Sequence, residues 1–581
     1  MLNLKYIFNT FKEYSFYMAG TILTPKAIWG DFVIDKPIES RSIGVYNHGD
    51  IQIERMYLTG KTFSDGNVQI YTVMARNIKK ENAPAIFILQ KFSDGADEKL
   101  ATDLAKRGYC AFVVDISGED GINNNHTTYP KSLSFTTYIN AENSLFSIGS
   151  DVKNTCWYEW GCTARYALQY LKQQPFVTNI AGLGIDDAST VLWHIAGTDK
   201  TFSCVSFILN AGWGKYMGNY KFAKTNDEEL SEEQLKFLAG IAPQTYAGQV
   251  SCPTFIAVAT NSNKYDFDRA HDTYSRIQEG VYKTLHYSVG RIDGVDNKAY
   301  DNLLTFFDSF IPLEGQPNNN LPNGLEIKSE LINGKFVVTL NPDTDGIKKL
   351  SLYASEQVIN PSLRQWQKIS DCVRTEDGAF SFDYLPYNYS GIVMFFGVAE
   401  YKNGFEVGSA VIAKRFESGE VNLSHKNNVI YSSRQKDAYS AFYPLKGLDN
   451  KPSGLSIKPH SIIKEKKGAM DIVGVSLEYG LLSFKLLADR YKPQESAMLM
   501  LDIYSKKDCN ITIRFFEDFY GNKKEYFATA SVKGGEVWNN LKFELKNFKT
   551  NENLNLKSFE KIQAFTIESD SDCLVNNLLW V

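Results

Sequence analysis

The spacing of apolar and polar positions changes character several times along this chain. Up to about residue 80 apolar positions recur every second residue, the period of half-buried strands. Ile51 to Phe63 and Val68 to Ile78 flank Ser64-Asp65-Gly66-Asn67, a turn signal that predicts a β-hairpin. The period then switches. Pro84 to Leu89 is a short, continuous apolar run, as expected for a strand covered on both faces. A helical pattern follows from about Glu98 to Arg107, and Gly108 is placed to end it. Cys110 to Asp115 reads as the next buried strand.

The alternation continues for some 230 residues. Strands are predicted at Ile180 to Gly184, Cys204 to Leu209, Thr254 to Thr260 and Thr284 to Ser288. Helices are predicted at Trp157 to Leu171, Ser189 to Ala196, Asp268 to Glu279 and Lys298 to Phe310. Strands alternating with helices imply right-handed crossovers and a mostly parallel, doubly wound sheet. Gly315 to Gly324 reads as a linker, and the pattern beyond it is all-β. Ile327 to Ile332, Lys335 to Leu340, Leu350 to Ala354 and Ile392 to Glu400 suit a small immunoglobulin- or fibronectin-type sandwich with Trp366 in its core. A second break lies near Ser418. After it, strands predicted at Leu482 to Leu487, Met498 to Tyr504, Asn510 to Phe516, Glu525 to Val532, Trp538 to Leu545, Ile562 to Glu568 and Cys573 to Val581 fit a jelly roll. The expected organisation is an N-terminal β extension (1–83), an α/β domain (84–314), a β-sandwich (321–416) and a jelly roll (421–581).

Composition narrows the function classes. The formal net charge is -5, which disfavours nucleic-acid binding, since that needs a basic face. No charge-free stretch is both long and free of Pro, so no membrane span is expected. No secretory leader is read at the N-terminus, and eight scattered cysteines without a C-x-x-C pair read as reduced thiols of a cytoplasmic protein. No cofactor or metal motif is present, and the sequence does not speak to oligomeric state. Aromatics reach 13%, yet there are only 7 His.

The stretch from Val177 to Ala196 is a buried strand, a tight turn and an apolar helix. It resembles the nucleophile elbow of α/β-hydrolases, G-x-S-x-G. The hairpin before Pro84, Cys252-Pro253-Thr-Phe-Ile and the helix ending Leu304 to Phe310 are similar to the acetylxylan-esterase and dienelactone-hydrolase-like branch. The resemblance spans roughly Ile51 to Ile311 and implies an esterase-like α/β-hydrolase of carbohydrate metabolism. The motif itself is altered. Gly184-Ile185-Asp186-Asp187-Ala188 places Asp186 at the nucleophile position. The resemblance puts the triad acid at Ser262 and the triad His at Asp293. Oxyanion-hole donors would come from Asp187 and the loop at Lys91. Without His, acyl transfer lacks its proton carrier.

Several readings follow. Asp186 and Asp187 cap the next helix, or they form an acidic cluster with Asp293 that holds a divalent cation or a sugar's hydroxyls, or pairs with Lys264 and Arg291. The leading expectation is a triad-less protein that binds a glycan or partner. The alternative is an active acyl-ester hydrolase using Asp186 or an unrecognised nucleophile, and a third is a purely structural role. The C-terminal strand pattern resembles galactose-binding-type jelly rolls, which makes Tyr520, Tyr526 and Trp538 candidate sugar platforms. Core packing is the competing reading for each.

Overall fold

The computed structural model describes residues 22–581 except 91, 122, 217, 224–229, 293, 316–319, 344–345, 370, 377, 426, 435–441, 446–462, 479 and 495. Its first half is built on a nine-stranded sheet. The strands are β1 (Ser40–His48), β2 (Ile51–Phe63), β3 (Gly66–Asn77), β4 (Ala83–Leu89), β5 (Cys110–Val114), β6 (Val177–Ile185), β7 (Cys204–Ile208), β8 (Thr254–Ala259) and β9 (Lys283–Ser288). Their order across the sheet is β1-β2-β3-β5-β4-β6-β7-β8-β9. From β5 to β9 every neighbouring pair is parallel, whereas β1, β2 and β3 form an antiparallel meander. All residues of β4, β5, β7 and β8 are buried, which is why their sequences run apolar instead of alternating.

Five of the six crossover helices lie where the helical periods predict them. They are α1 (Glu98–Arg107), α2 (Cys156–Lys172), α3 (Ala188–Thr198), α4 (Glu232–Gly240), α5 (Phe267–Arg276) and α6 (Asn297–Phe310). Asp97 caps α1 by accepting from the Lys99 and Leu100 N–H groups, and Gly108 ends it at φ 116°. Helix α4 was not foreseen. Its start carries a capping box, Ser231 with Gln234, whose sequence signal lay in plain view.

Two β-sandwiches follow. The first has a four-stranded and a five-stranded sheet, the second a six-stranded and a five-stranded one, among the described residues. The chain is therefore an α/β, doubly wound α/β-hydrolase sheet followed by two all-β sandwich domains. One predicted strand is corrected. In 482–487 only Leu481–Ser483 is extended, and Lys485–Leu487 forms a 3-10 turn that buries Leu486 in the core of the second sandwich.

The first sandwich is docked through buried chemistry, and Trp366 belongs to the seam instead of the sandwich interior. Its ring packs 5.8 Å from Phe267 of α5 and 4.7 Å from Phe396. Beside it Arg364 forks onto both carboxylate oxygens of Asp268, and both side chains are essentially inaccessible. Tyr287 of β9 donates to the Ser409 carbonyl at 2.6 Å. The second sandwich ties to the first through Arg490, which donates to Glu356 at 2.7 Å, and through the Tyr443 hydroxyl, which donates to the Arg364 carbonyl at 2.8 Å. The three units thus meet around residues near 364.

Candidate functional site

Strand β6 delivers Asp186 to the carboxyl edge of the sheet. The turn into α3 is tight because the two elements nearly touch. A Cβ on Gly184 would come within 2.8 Å of Ser189 Cα. Asp186 itself adopts φ 58°, a left-handed conformation that non-glycine residues rarely hold. Such strain costs about 1–3 kcal/mol and is retained at positions the surroundings over-determine. Its N–H donates to the Ile208 carbonyl at 3.0 Å, and its carbonyl accepts from Ser189. This is a tight strand–turn–helix of the shape the resemblance expects of an elbow, with a carboxylate at its apex.

The carboxylate is heavily engaged. Asp186 Oδ1 accepts from Lys264 Nζ at 2.5 Å, from the Tyr265 hydroxyl, and from the Asp187 N–H at 2.8 Å. Asp187 shares both partners. Its Oδ2 lies 2.7 Å from Lys264 Nζ and its Oδ1 3.1 Å from the Tyr265 hydroxyl. Lys264 and Tyr265 come from the loop after β8, where the resemblance expected the triad acid. Asp187 occupies the N-cap position of α3 but makes no side-chain cap bond, so of the two readings of the acidic pair the one with Lys264 fits Asp187.

Electrostatics follow from this closure. Burial, and then the charge of Asp186, raise the Asp187 carboxyl against the opposing pull of Lys264. Burial works against the Lys264 ammonium, yet the charges of Asp187 and Asp186 prevail and raise it. Burial and the same two charges push the Tyr265 phenol well up. Lys264 is thus a held cation and Tyr265 a held donor. The N–H of Asp187 is spent on the neighbouring Asp186 carboxylate.

The remaining predicted residues fare differently. The Ser262 hydroxyl is buried and accepts from the N–H groups of Lys264 and Tyr265, which shapes the loop instead of orienting a base. Asp293 and Lys91 lie outside the described residues. His194 bonds the Ile241 carbonyl at 2.7 Å, and burial lowers it to about 3. His286 bonds Asp296 and Asn302 under the first sandwich. His126 bonds the Asn123 carbonyl. Of the sugar platforms, Tyr526 is corrected: only 4% of it is exposed and it lies in the core of the second sandwich. Trp538 is half-buried against Tyr504, with its indole N–H given to the Ala469 carbonyl.

Tyr520 lies elsewhere. It lines a cleft of about 140 Å³ where all three units meet. Tyr220, Ser262, Tyr265 and Asp266 enter from the hydrolase-type unit and Asn360 from the first sandwich. Burial and the charge of Asp268 raise the Asp266 carboxyl to about 6. Tyr265 faces both the cleft and the elbow cluster, which joins the two. No sequence signal marked Tyr265 or Tyr220 among the 33 tyrosines. Among the described residues no group of three or more His, Cys, Asp and Glu is placed to hold a metal ion, and no helix is long and apolar enough to cross a membrane.

No protein-family model matches the chain, and no curated protein matches it. Solved structures do. An acetyl xylan esterase from Paenibacillus sp. R4 is 13% identical, over 49% of this chain and 92% of its own, with a TM-score of 0.37. Acetyl xylan esterase 1 from Thermoanaerobacterium sp. JW/SL YS485 is 13% identical over 44% and 81%, with a TM-score of 0.34. A dienelactone hydrolase-like promiscuous phosphotriesterase, P91, from metagenomic libraries is 14% identical over 47% and 92%, with a TM-score of 0.28. The strand order and the elbow carry the assignment: the first half of the chain has the α/β-hydrolase fold.

Proposed function

We propose that this chain is an esterase-like α/β-hydrolase protein that has given up acyl-ester hydrolysis and binds a glycan in the cleft between its three units. The observation that carries the loss of hydrolysis is the triple engagement of Asp186 Oδ1 by Lys264, Tyr265 and the Asp187 N–H. Attack on an ester would require the carboxylate to leave these charge-assisted bonds, and the oxyanion would find its donor taken. The glycan reading rests on the chemistry of the cleft. Tyr220, Tyr265 and Tyr520 line the cleft with aromatic rings of the kind that pack on a pyranose, and Asp266 and Asn360 add polar groups for hydroxyls.

Two measurements test the two halves separately. A fluorophosphonate probe and a p-nitrophenyl ester series should neither label the full chain nor be turned over by it. Labelling or turnover abolished by Asp186→Asn would overturn the loss of hydrolysis. A polysaccharide array followed by titration should find a ligand whose affinity falls roughly tenfold, or about 1.4 kcal/mol, in Tyr520→Ala. Absence of any bound glycan, or binding indifferent to Tyr520 and Asp266, would overturn the glycan reading.

A further inference from the structure

The sulfurs of Cys509 and Cys573 lie 3.2 Å apart, and both residues are buried free thiols. Each stands at a corner where the chain passes from one sheet of the second sandwich to the other. Strand Leu499–Ser505 belongs to the six-stranded sheet and Cys509–Glu517 to the five-stranded one. On the return, Ala564–Ser569 belongs to the five-stranded sheet and Cys573–Trp580 to the six-stranded one. The two corners are held side by side. Ser505 pairs with Cys573 across the ladder. The Asn510 N–H and its side-chain amide both donate to the Asp570 carboxylate, at 2.8 and 2.9 Å. Bonding would close the sulfurs from this contact to roughly 2.05 Å, a small movement for two residues at the ends of strands.

We propose that Cys509 and Cys573 are a disulfide site, closed when the chain folds under oxidising conditions, which staples the two sheets of the second sandwich. With a small-molecule disulfide as oxidant, the thiolate of one cysteine attacks an oxidant sulfur and expels one thiol. The other cysteine then displaces the second. One protein S–S bond forms, the oxidant's S–S bond breaks, and the two cysteine protons leave on two small thiols. Burial pushes the Cys573 thiol up to about 11, so the folded protein offers little thiolate. The bond therefore forms as the corners come together, before they are shielded, and is then protected from reductant. It ties positions 64 residues apart, which restricts the unfolded chain. The state of the pair also reports compartment: the cytoplasmic reading of the sequence requires two thiols, an oxidising one requires the bridge.

The test uses the full chain, unfolded with reductant and refolded either in mixtures of oxidised and reduced glutathione or in excess dithiothreitol. Free thiols are then alkylated in denaturant and counted by intact mass, and linked peptides are mapped without reduction. The expected result is six alkylated thiols of the eight after glutathione refolding, one linked peptide pair containing Cys509 and Cys573, and a higher melting temperature than the dithiothreitol sample. Eight alkylated thiols at every glutathione ratio, or a bridge between any other pair, would overturn the site. A bridge with an unchanged melting temperature would overturn the staple. Cys509→Ser should leave seven alkylated thiols, whereas loss of two thiols in that variant would place the bridge elsewhere.

Discussion

The closed elbow makes a quantitative prediction for Lys264→Met. Methionine keeps most of the stem and removes the charge. Lys264 Nζ sits 2.5 Å from Asp186 and 2.7 Å from Asp187, whose side chains are only 12% and 17% exposed. Removing one partner of a fully buried ion pair costs about 3–5 kcal/mol. The lysine side chain is 43% exposed, so water screens part of that loss, and roughly half, or about 2 kcal/mol, is the expected cost near neutral pH. For a unit of this size that corresponds to a fall of about 4–8 °C in its melting transition. The loss must also depend on pH. Asp187 is already raised by burial and by Asp186, and Lys264 opposes the rise. Without Lys264 the carboxyl moves further above its unfolded value of about 3.9. A carboxyl raised in the folded state contributes stability that is full below the unfolded value and is lost as pH rises through the folded one. The deficit of Lys264→Met should therefore be largest near neutrality and shrink on acidification toward the unfolded carboxyl value of about 3.9. Scanning calorimetry of both proteins across that range reads it. Equal deficits at both ends, or none at either, would refute the reasoning.

Three further outcomes follow from other positions. Arg364→Met strands Asp268 in a seam where neither side chain exceeds 1% exposure, and denaturant unfolding should show a loss of about 3–5 kcal/mol; a change below roughly 0.5 kcal/mol, the size of an ordinary surface substitution, would mean the pair does not hold the seam. Asp296→Asn removes the partner that, against burial, raises His286, while Asp296 itself is lowered by His286 against burial. The histidine's contribution is present below about pH 6.5 and fades above its folded value, and the carboxylate's is present above about pH 4 and fades in acid. The melting-temperature gap between wild type and Asp296→Asn should thus peak between these limits and close in alkali; a gap that stays constant with pH would contradict it. Gly184→Ala would push a methyl to 2.8 Å from Ser189 Cα and 3.0 Å from Leu192 Cβ, costing about 1–3 kcal/mol by overpacking, and an unchanged melting temperature would show that the elbow has slack.

Much of the architecture was legible because it is written in local periods. The apolar run at Pro84 to Leu89, the helical period from Glu98 and the Gly108 stop identify β4 and α1 without tertiary information. The elbow was legible from its strand, turn and apolar helix even with Asp186 at its tip. Other features were not. Trp366 reads like a sandwich-core tryptophan, but it fills a seam that exists only once the sandwich is docked. Tyr526 and Tyr520 are six residues apart, one in a strand and one in the turn before it, and both read as exposed aromatics, yet one is interior and the other lines the junction. Ser262 occupied the expected triad slot, but its hydroxyl is taken by its own loop.

What the sequence determined by itself was the order of elements, the sheet class and the residue at the apex of the elbow. These depend on which face of each segment must leave water, and that is encoded within a few residues. Only the tertiary structure decided what the apex meets. Lys264 and Tyr265 reach Asp186 from 78 and 79 positions away, and the cleft gathers Tyr220, Tyr265, Asn360 and Tyr520 from three units. Such meetings depend on strand order and on how units dock. Hydrophobic period specifies that a face is buried, not which distant side chain buries it.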